Sequence, residues 1–240
     1  MLLLLELGRL LGRRRRAKDE EDARAGLGAV EGAVFALLGL LIAFTFSGAA
    51  SRFDTRRHLI VEEANAIGTA WLRLDLLPAN AQPELRNLFR RYLDLKLEAY
   101  RKMPDVEAAV AELGKANTLQ GEIWSKAVVL CQESPNPVKA QLIPALNEMF
   151  DVGATRTLAS QIHPPAIIFV MLGVLALMSS MLAGYAMAHG KTRSWIHVIG
   201  FALIMSTTVY VILDLEFPRL GLIRIDAFDC VLADLRKSMQ

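Results

Sequence analysis

The sequence predicts an all-α integral membrane protein with three clear transmembrane helices, a curtailed fourth at the N-terminus, and a helical bundle domain. Three observations predict it. Hydrophobic residues make up 53% of the 240, high for one or two soluble domains, and mean hydropathy is +0.33. The excess lies in three runs free of Asp, Glu, Lys and Arg, at 32–51, 157–190 and 194–213; about 20 apolar helical residues match a hydrocarbon core of about 30 Å. No stretch sustains the period-two alternation of a half-buried strand.

In chain order, residues 1–26 are a short apolar segment followed by a charged connector. The segment MLLLLELGRLLG is too short to span alone. Its arginines follow the apolar part rather than precede it, unlike a signal peptide. Residues 27–51 form the first clear span. Beyond it Ile60, Ala64, Ile67, Trp71 and Leu74 keep helical spacing, so one rod is expected to continue to Pro78. Residues 52–160 are the helical domain. Pro83 suits the first turn of a helix whose face holds Leu85, Leu88, Phe89, Tyr92, Leu93, Lys96 and Tyr100. From Asp105 a further helix turns Val106, Val110, Leu113, Leu119, Ile123 and Val128 inward, and another follows Pro137, bent or restarted at Pro144. Residues 161–213 read as a transmembrane hairpin with Tyr185, Trp195 and Tyr210 at headgroup depth. A short tail covers 214–240.

Two stripes mark the first span. Gly28, Gly32, Ala36, Gly39, Ala43, Ser47 and Ala50 recur at spacings of 4, 4, 3, 4, 4 and 3. Lipid gives helices no hydrophobic reason to associate, so such a ridge serves close helix packing, against a neighbour in the same chain or another copy. Beside it run Glu31, Phe35, Leu38, Ile42 and Phe46. If the small ridge joins copies of the chain, this flank would face a central axis as an apolar pore lining with an acidic mouth; otherwise it is core. No ionisable group sits near mid-bilayer, which disfavours a charge-coupled carrier.

Chemistry is expected to be absent. Glu62 and Glu63 point about 100° apart on a helix, and the pattern predicts an ion-paired or solvated face with Arg56, Arg57 and Arg73 as partners. The four histidines show no ligand spacing, Cys131 and Cys230 make no disulfide framework, and no cofactor or metal is implied. The net charge of +2 is too small to suggest a nucleic-acid partner, and the basic residues are not clustered with aromatics on one face. The expected partners are the lipid bilayer, further copies of the chain and, for a pore, inorganic ions. Basic residues at 13–16 and 189–193 would lie on the cytoplasmic side by the positive-inside rule, putting the helical domain opposite.

The stretches LLGLLIAFTFSGAASRFDTRRHLIVEEANAIGTAWLRLDLLP at 37–78 and LDLEFPRLGLIRI at 213–225 resemble a family of bacterial bestrophin-like membrane proteins. That family has four spans, so either the true start lies upstream or this member has lost a crossing. Bestrophin channels carry F-x-x-N-x-A-Y-x-R-W-W-x-x-R at the exit of their second helix. Phe44, Ser47, Ala49, Arg52, Phe53 and Arg57 fall on it, with Ala50 in place of the tyrosine and Asp54 of a tryptophan. The resemblance implies a pentamer whose equivalent helix lines an ion pore through an apolar neck. It also implies a multi-pass protein of the bacterial inner membrane whose soluble part is cytoplasmic, the reverse of the charge-based orientation. The calcium-binding acidic cluster of animal members has no convincing counterpart here. A non-conducting membrane scaffold or signalling module acting through the helical domain is the alternative.

Overall fold

The computed structural model describes residues 1–15, 21–188 and 194–239. Among them every regular element is helical: α1 (Leu2–Arg15), α2 (Glu21–Arg73), α3 (Gln82–Lys102), α4 (Val106–Glu133), α5 (Asn136–Gln161), α6 (Ala166–Met187), α7 (Trp195–Glu216) and α8 (Cys230–Ser238), with short 3-10 turns at Leu74–Leu76 and Asp226–Asp229. The basic loop at 189–193 and part of the charged connector lie outside the described residues. Three helical stretches are long and apolar enough to cross a membrane: Gly28–Leu76, Asn136–Met187 and Trp195–Glu216. The chain forms two compact units, Met1–Ser51 with His163–Glu216, and Arg52–Ile162 with Phe217–Gln240.

In the first unit, α1 lies against α6 at backbone contact. A Cβ added at Gly8 would collide with the Met181 carbonyl, and one at Gly184 with the Leu5 carbonyl. At Gly12 it would come within 2.7 Å of the Ala188 Cβ. Absent side chains let the two backbones meet, which maximises dispersion contact where lipid supplies no hydrophobic drive. The apolar N-terminal segment is therefore a packed helix of 14 residues; at about 1.5 Å per residue it is still shorter than a full crossing. On α6 the Ser180 hydroxyl donates to the Ala176 carbonyl at 2.8 Å. At the ends of the hairpin, His163 Nδ1 sits 2.8 Å from Oε1 of the buried Glu216.

The second unit is a helical bundle with one apolar core. Ile60, Ala64, Ile67, Trp71 and Leu74 of the α2 rod and its closing turn are all buried, as their spacing predicts. Ala64, Ile67, Trp71 and Leu74 share one core with Leu85, Phe89 and Leu93 of α3 and Leu142, Leu146 and Met149 of α5; each fully buried large apolar side chain contributes about 1.5–3 kcal/mol. Asp105 caps α4 by accepting from the Ala108 N–H at 3.0 Å. The inward face of α4 differs from the expected one. Val106 and Val110 are exposed, while Ala109, Ala116, Leu119, Ile123 and Ala127 are buried. Alanines set that register because they let α3 and α4 approach closely, and Val106 and Val110 then face out while Leu119 and Ile123 stay inward as expected. α5 runs through Pro144 as one helix, without a restart. The tail closes on the bundle, burying Leu232 and Met239 in the core and joining Arg236 to Asp94 at 2.8 and 3.0 Å.

Candidate pore helix and its anchor

α2 carries the candidate site, and within the membrane unit its faces have different fates. Leu38 is 2% exposed among Leu172, Ala176 and Ile212, with Ile42 packed on the same cluster. Phe35 makes an edge-to-face contact with Phe201, ring centroids 6.3 Å apart. Thr45 hides its hydroxyl on the Leu41 carbonyl at 2.7 Å. The middle of the stripe expected to line a pore is thus braced against the chain's own helices; Glu31 is half-buried and Phe46 exposed.

The small-residue ridge is placed oppositely. Gly28, Gly32, Ala36, Gly39, Ala43 and Ser47 are exposed and Ala50 is half-buried. A Cβ at Gly28, Gly32 or Gly39 would meet nothing within 4 Å. Among the described residues, nothing fills the ridge at those three glycines. Next to it stands a third face of large apolar residues, with Leu37, Leu40 and Phe44 exposed at 53%, 54% and 69%. Helical spacing alone separates the stripes, but in an all-apolar run it does not say which stripe turns inward.

Past Ser51 the same helix is fixed by charge. Arg56 is buried and donates from Nε to the Ala159 carbonyl and from Nη2 to the Ile162 carbonyl, each at 3.1 Å, which caps the end of α5. Glu63 is 0% exposed. Its Oε2 accepts from Arg156 Nη1 at 2.5 Å, and its Oε1 lies 2.7 Å from Lys96 Nζ as an ion pair. Arg156 continues to Asp229 at 2.7 Å, and Asp229 to Arg219 at 3.1 Å. The Arg156 guanidinium also lies 3.8 Å from the centre of the Tyr100 ring. Gly153 leaves room for this cluster, since a Cβ there would stand 3.3 Å from Glu63 Oε1 and 3.5 Å from the Tyr92 hydroxyl.

The cluster shifts its own titrations. Burial would raise the Glu63 carboxyl, but the Lys96 and Arg156 charges outweigh it and hold the pKa below its ordinary value. For Lys96, burial works to lower the pKa while Tyr100 and Glu63 raise it, and the net shift is upward. The Tyr92 phenol is pushed up to about 12, chiefly by burial. Both charges of the central pair are therefore stable at neutral pH. Of the partners expected for Glu63 from sequence, none is used: Arg56 caps α5 and Arg73 donates to the Gln141 carbonyl at 2.6 Å. One local signal pointed to Lys96, a lysine on the otherwise apolar face of α3; Arg156 and Asp229 left none. The G-x-x-x-G formed by Gly8 and Gly12 was likewise a legible mark of the α1–α6 contact. Among the described residues no group of three or more His, Cys, Asp or Glu side chains could hold a metal ion.

The family model of the bestrophin-like domain matches residues 2–227, nearly the whole chain. The chain belongs to the bestrophin-like family. Solved structures agree in fold with this bestrophin-like chain. A bacterial bestrophin homologue from Klebsiella pneumoniae, phased on zinc, shares 15% identity at a TM-score of 0.72, over 99% of this chain and 95% of that one. A tryptophan-to-alanine variant of a Klebsiella pneumoniae homologue gives 15% identity and a TM-score of 0.74, over 99% and 93%. A serine-to-alanine variant described only as a membrane protein gives 14% and 0.72, over 99% and 94%. None of the curated proteins is similar to it in sequence.

Proposed function

We propose that the protein is the subunit of a passive, oligomeric ion channel of bestrophin type, a multi-pass protein of the bacterial inner membrane. α2 of each copy stands beside a central axis. The observation that carries this reading is the open side of α2. A membrane-length helix keeps Leu38 and Ile42 for its own chain and leaves both a glycine ridge and a large apolar face unfilled. The ridge of Gly32, Ala36, Gly39, Ala43 and Ser47 suits the α2 of an adjacent copy, because small residues admit close backbone approach. Leu37, Leu40 and Phe44 then turn to the axis as an apolar constriction, which gates by wetting and drying and sets the width of the path. Phe35, Leu38 and Ile42 act one layer behind, holding the helix at its angle, with Glu31 near one mouth. Family resemblance favours five copies.

The test is ion flux from proteoliposomes, paired with the mass of the detergent-solubilised particle. A particle of several copies and a flux altered by Phe44→Ala support the channel. A monomeric particle, or no flux from any preparation, contradicts it.

A further inference from the structure

The chain leaves its last membrane helix through a closed loop. Glu216 ends α7, and Phe217 opens the stretch that belongs to the bundle unit. The Ile225 N–H donates back to the Pro218 carbonyl at 3.1 Å, and both residues are buried. Arg219 clamps the base of the loop, donating to Asp226 at 2.6 Å and to Asp229 at 3.1 Å. Asp229 is held in turn by the buried Arg156. Backbone closure and ion pairs thus fix what the tip presents, and it presents leucine. Leu220 is 65% and Leu222 83% exposed; no other described large apolar side chain of the bundle unit is as open as Leu222. The exposed Arg224 stands next to them, 3.5 Å from an Asp226 that Arg219 already engages.

Single exposed apolar residues are ordinary, but these sit at a particular place in the chain. Leu222 follows Glu216 by six residues, at most about 22 Å of extended chain. The other link from the bundle into the hairpin has the same character, with Leu158 and Ile162 exposed and Ile162 the last bundle residue before the membrane unit resumes. The contact of His163 with Glu216 at 2.8 Å puts both links at one end of the hairpin. A headgroup layer about 5–8 Å thick borders the hydrocarbon there, within reach of the tip.

We infer that the loop Phe217–Ile225 is a membrane-surface anchor: Leu220 and Leu222 enter the phospholipid leaflet at which α7 ends, and Arg224 lies on the lipid phosphates. The inference rests on the membrane reading of α7 and is independent of the pore. Leucines at the tip gain by entering the headgroup–acyl boundary, to a depth of about 5–10 Å. An arginine beside them keeps its stem among apolar groups and its guanidinium at the phosphates, where anionic lipid attracts it further. The loop then ties the bundle to the bilayer surface at a point separate from the membrane helices.

The experiment places a single cysteine at Leu220, Leu222 or, for comparison, the exposed Val110 of α4, in the full-length protein carrying Cys131→Ser and Cys230→Ser. Each is labelled with an environment-sensitive fluorophore and reconstituted into phosphatidylcholine vesicles with or without phosphatidylglycerol. Labels at 220 and 222 should be quenched by phospholipid bearing a nitroxide near its headgroup and spared by aqueous iodide, with the reverse at 110. Phosphatidylglycerol should strengthen the lipid quenching at 222, and Arg224→Gln should abolish that gain. All four positions are exposed, so the variants keep the fold, which an unchanged particle mass verifies. Labels at 220 and 222 reached by iodide and not by lipid overturn the inference. Labels shielded from both overturn it too, and assign the tip to a neighbouring copy. A gain that survives Arg224→Gln overturns the role given to Arg224.

Discussion

The two units of this chain solve the same packing problem with opposite chemistry. In the membrane unit, α1 and α6 are joined by removing side chains, so that Gly8 and Gly184 each face a carbonyl of the other helix. In the bundle, α2, α3, α5 and the tail are joined by adding charge at the centre, through Glu63, Lys96, Arg156 and Asp229. With the bundle read as a soluble domain, the difference follows from the solvent. Lipid is as apolar as leucine, so only closeness and dispersion distinguish a helix neighbour from a lipid tail. Water drives apolar burial by itself, and a buried ionic network adds directional constraints on rotation and register.

The largest expected effect comes from breaking the ionic side of this contrast. Arg156→Ala leaves Asp229 and half of Glu63 without their buried partner and should destabilise the bundle by about 3–5 kcal/mol, read as a fall in melting temperature of the detergent-solubilised protein. Lys96→Met should cost a similar amount, whereas exchanging Glu63 and both of its cations for apolar residues together should cost less than either single change. On the membrane side, Gly184→Leu should separate α1 from α6 at a cost of about 1–3 kcal/mol, with α1 becoming susceptible to protease while the bundle stays folded.

A sharper comparison uses one substitution in two places. Gly153→Ala inserts a methyl group 3.3 Å from Glu63 Oε1 and should destabilise by about 1 kcal/mol. Gly39→Ala meets nothing within 4 Å of its own chain. It should leave the melting of the isolated subunit unchanged or slightly raised, because alanine favours helix, yet shift the detergent-solubilised particle toward smaller species.

The smallest effect is the pH response of the central pair. The Glu63 pKa is lowered from an ordinary 4.5, so its contribution is present above that value and is lost as pH falls through the lowered pKa. Lys96 is raised from an ordinary 10.5, so its contribution is complete below that value and is lost only as pH climbs through the raised one. Bundle stability should hold between these limits. An acid transition that Glu63→Gln leaves unmoved would remove Glu63 from the account of acid sensitivity.

Much of this fold is written in local pattern. The buried stripe from Ile60 to Leu74 and the apolar face of α3 are periodic over several turns, and the uncharged runs mark the membrane helices directly. The inward face of α4 is hidden from such a reading because alanines, neutral on any hydropathy argument, carry its core. The candidate site divides the same way. That the span of α2 has a small ridge beside a bulky stripe is legible. Which bulky stripe is spent inside the chain depends on Leu172, Phe201 and Ile212, more than 100 positions away in sequence, as are none of the cues within the helix itself. Glu63 and Arg156 are likewise 93 positions apart, so only the folded bundle joins them.

The outward orientation of Leu40 and Phe44 is most directly tested by thiol accessibility on α2. In a background of Cys131→Ser and Cys230→Ser, Leu40→Cys and Phe44→Cys channels should lose current when a charged, water-soluble thiol reagent is applied, while Leu38→Cys should be untouched because its position is filled from within the subunit. Block at Leu38→Cys with none at Leu40→Cys or Phe44→Cys would contradict the assignment and return the conduction path to the opposite side of the helix.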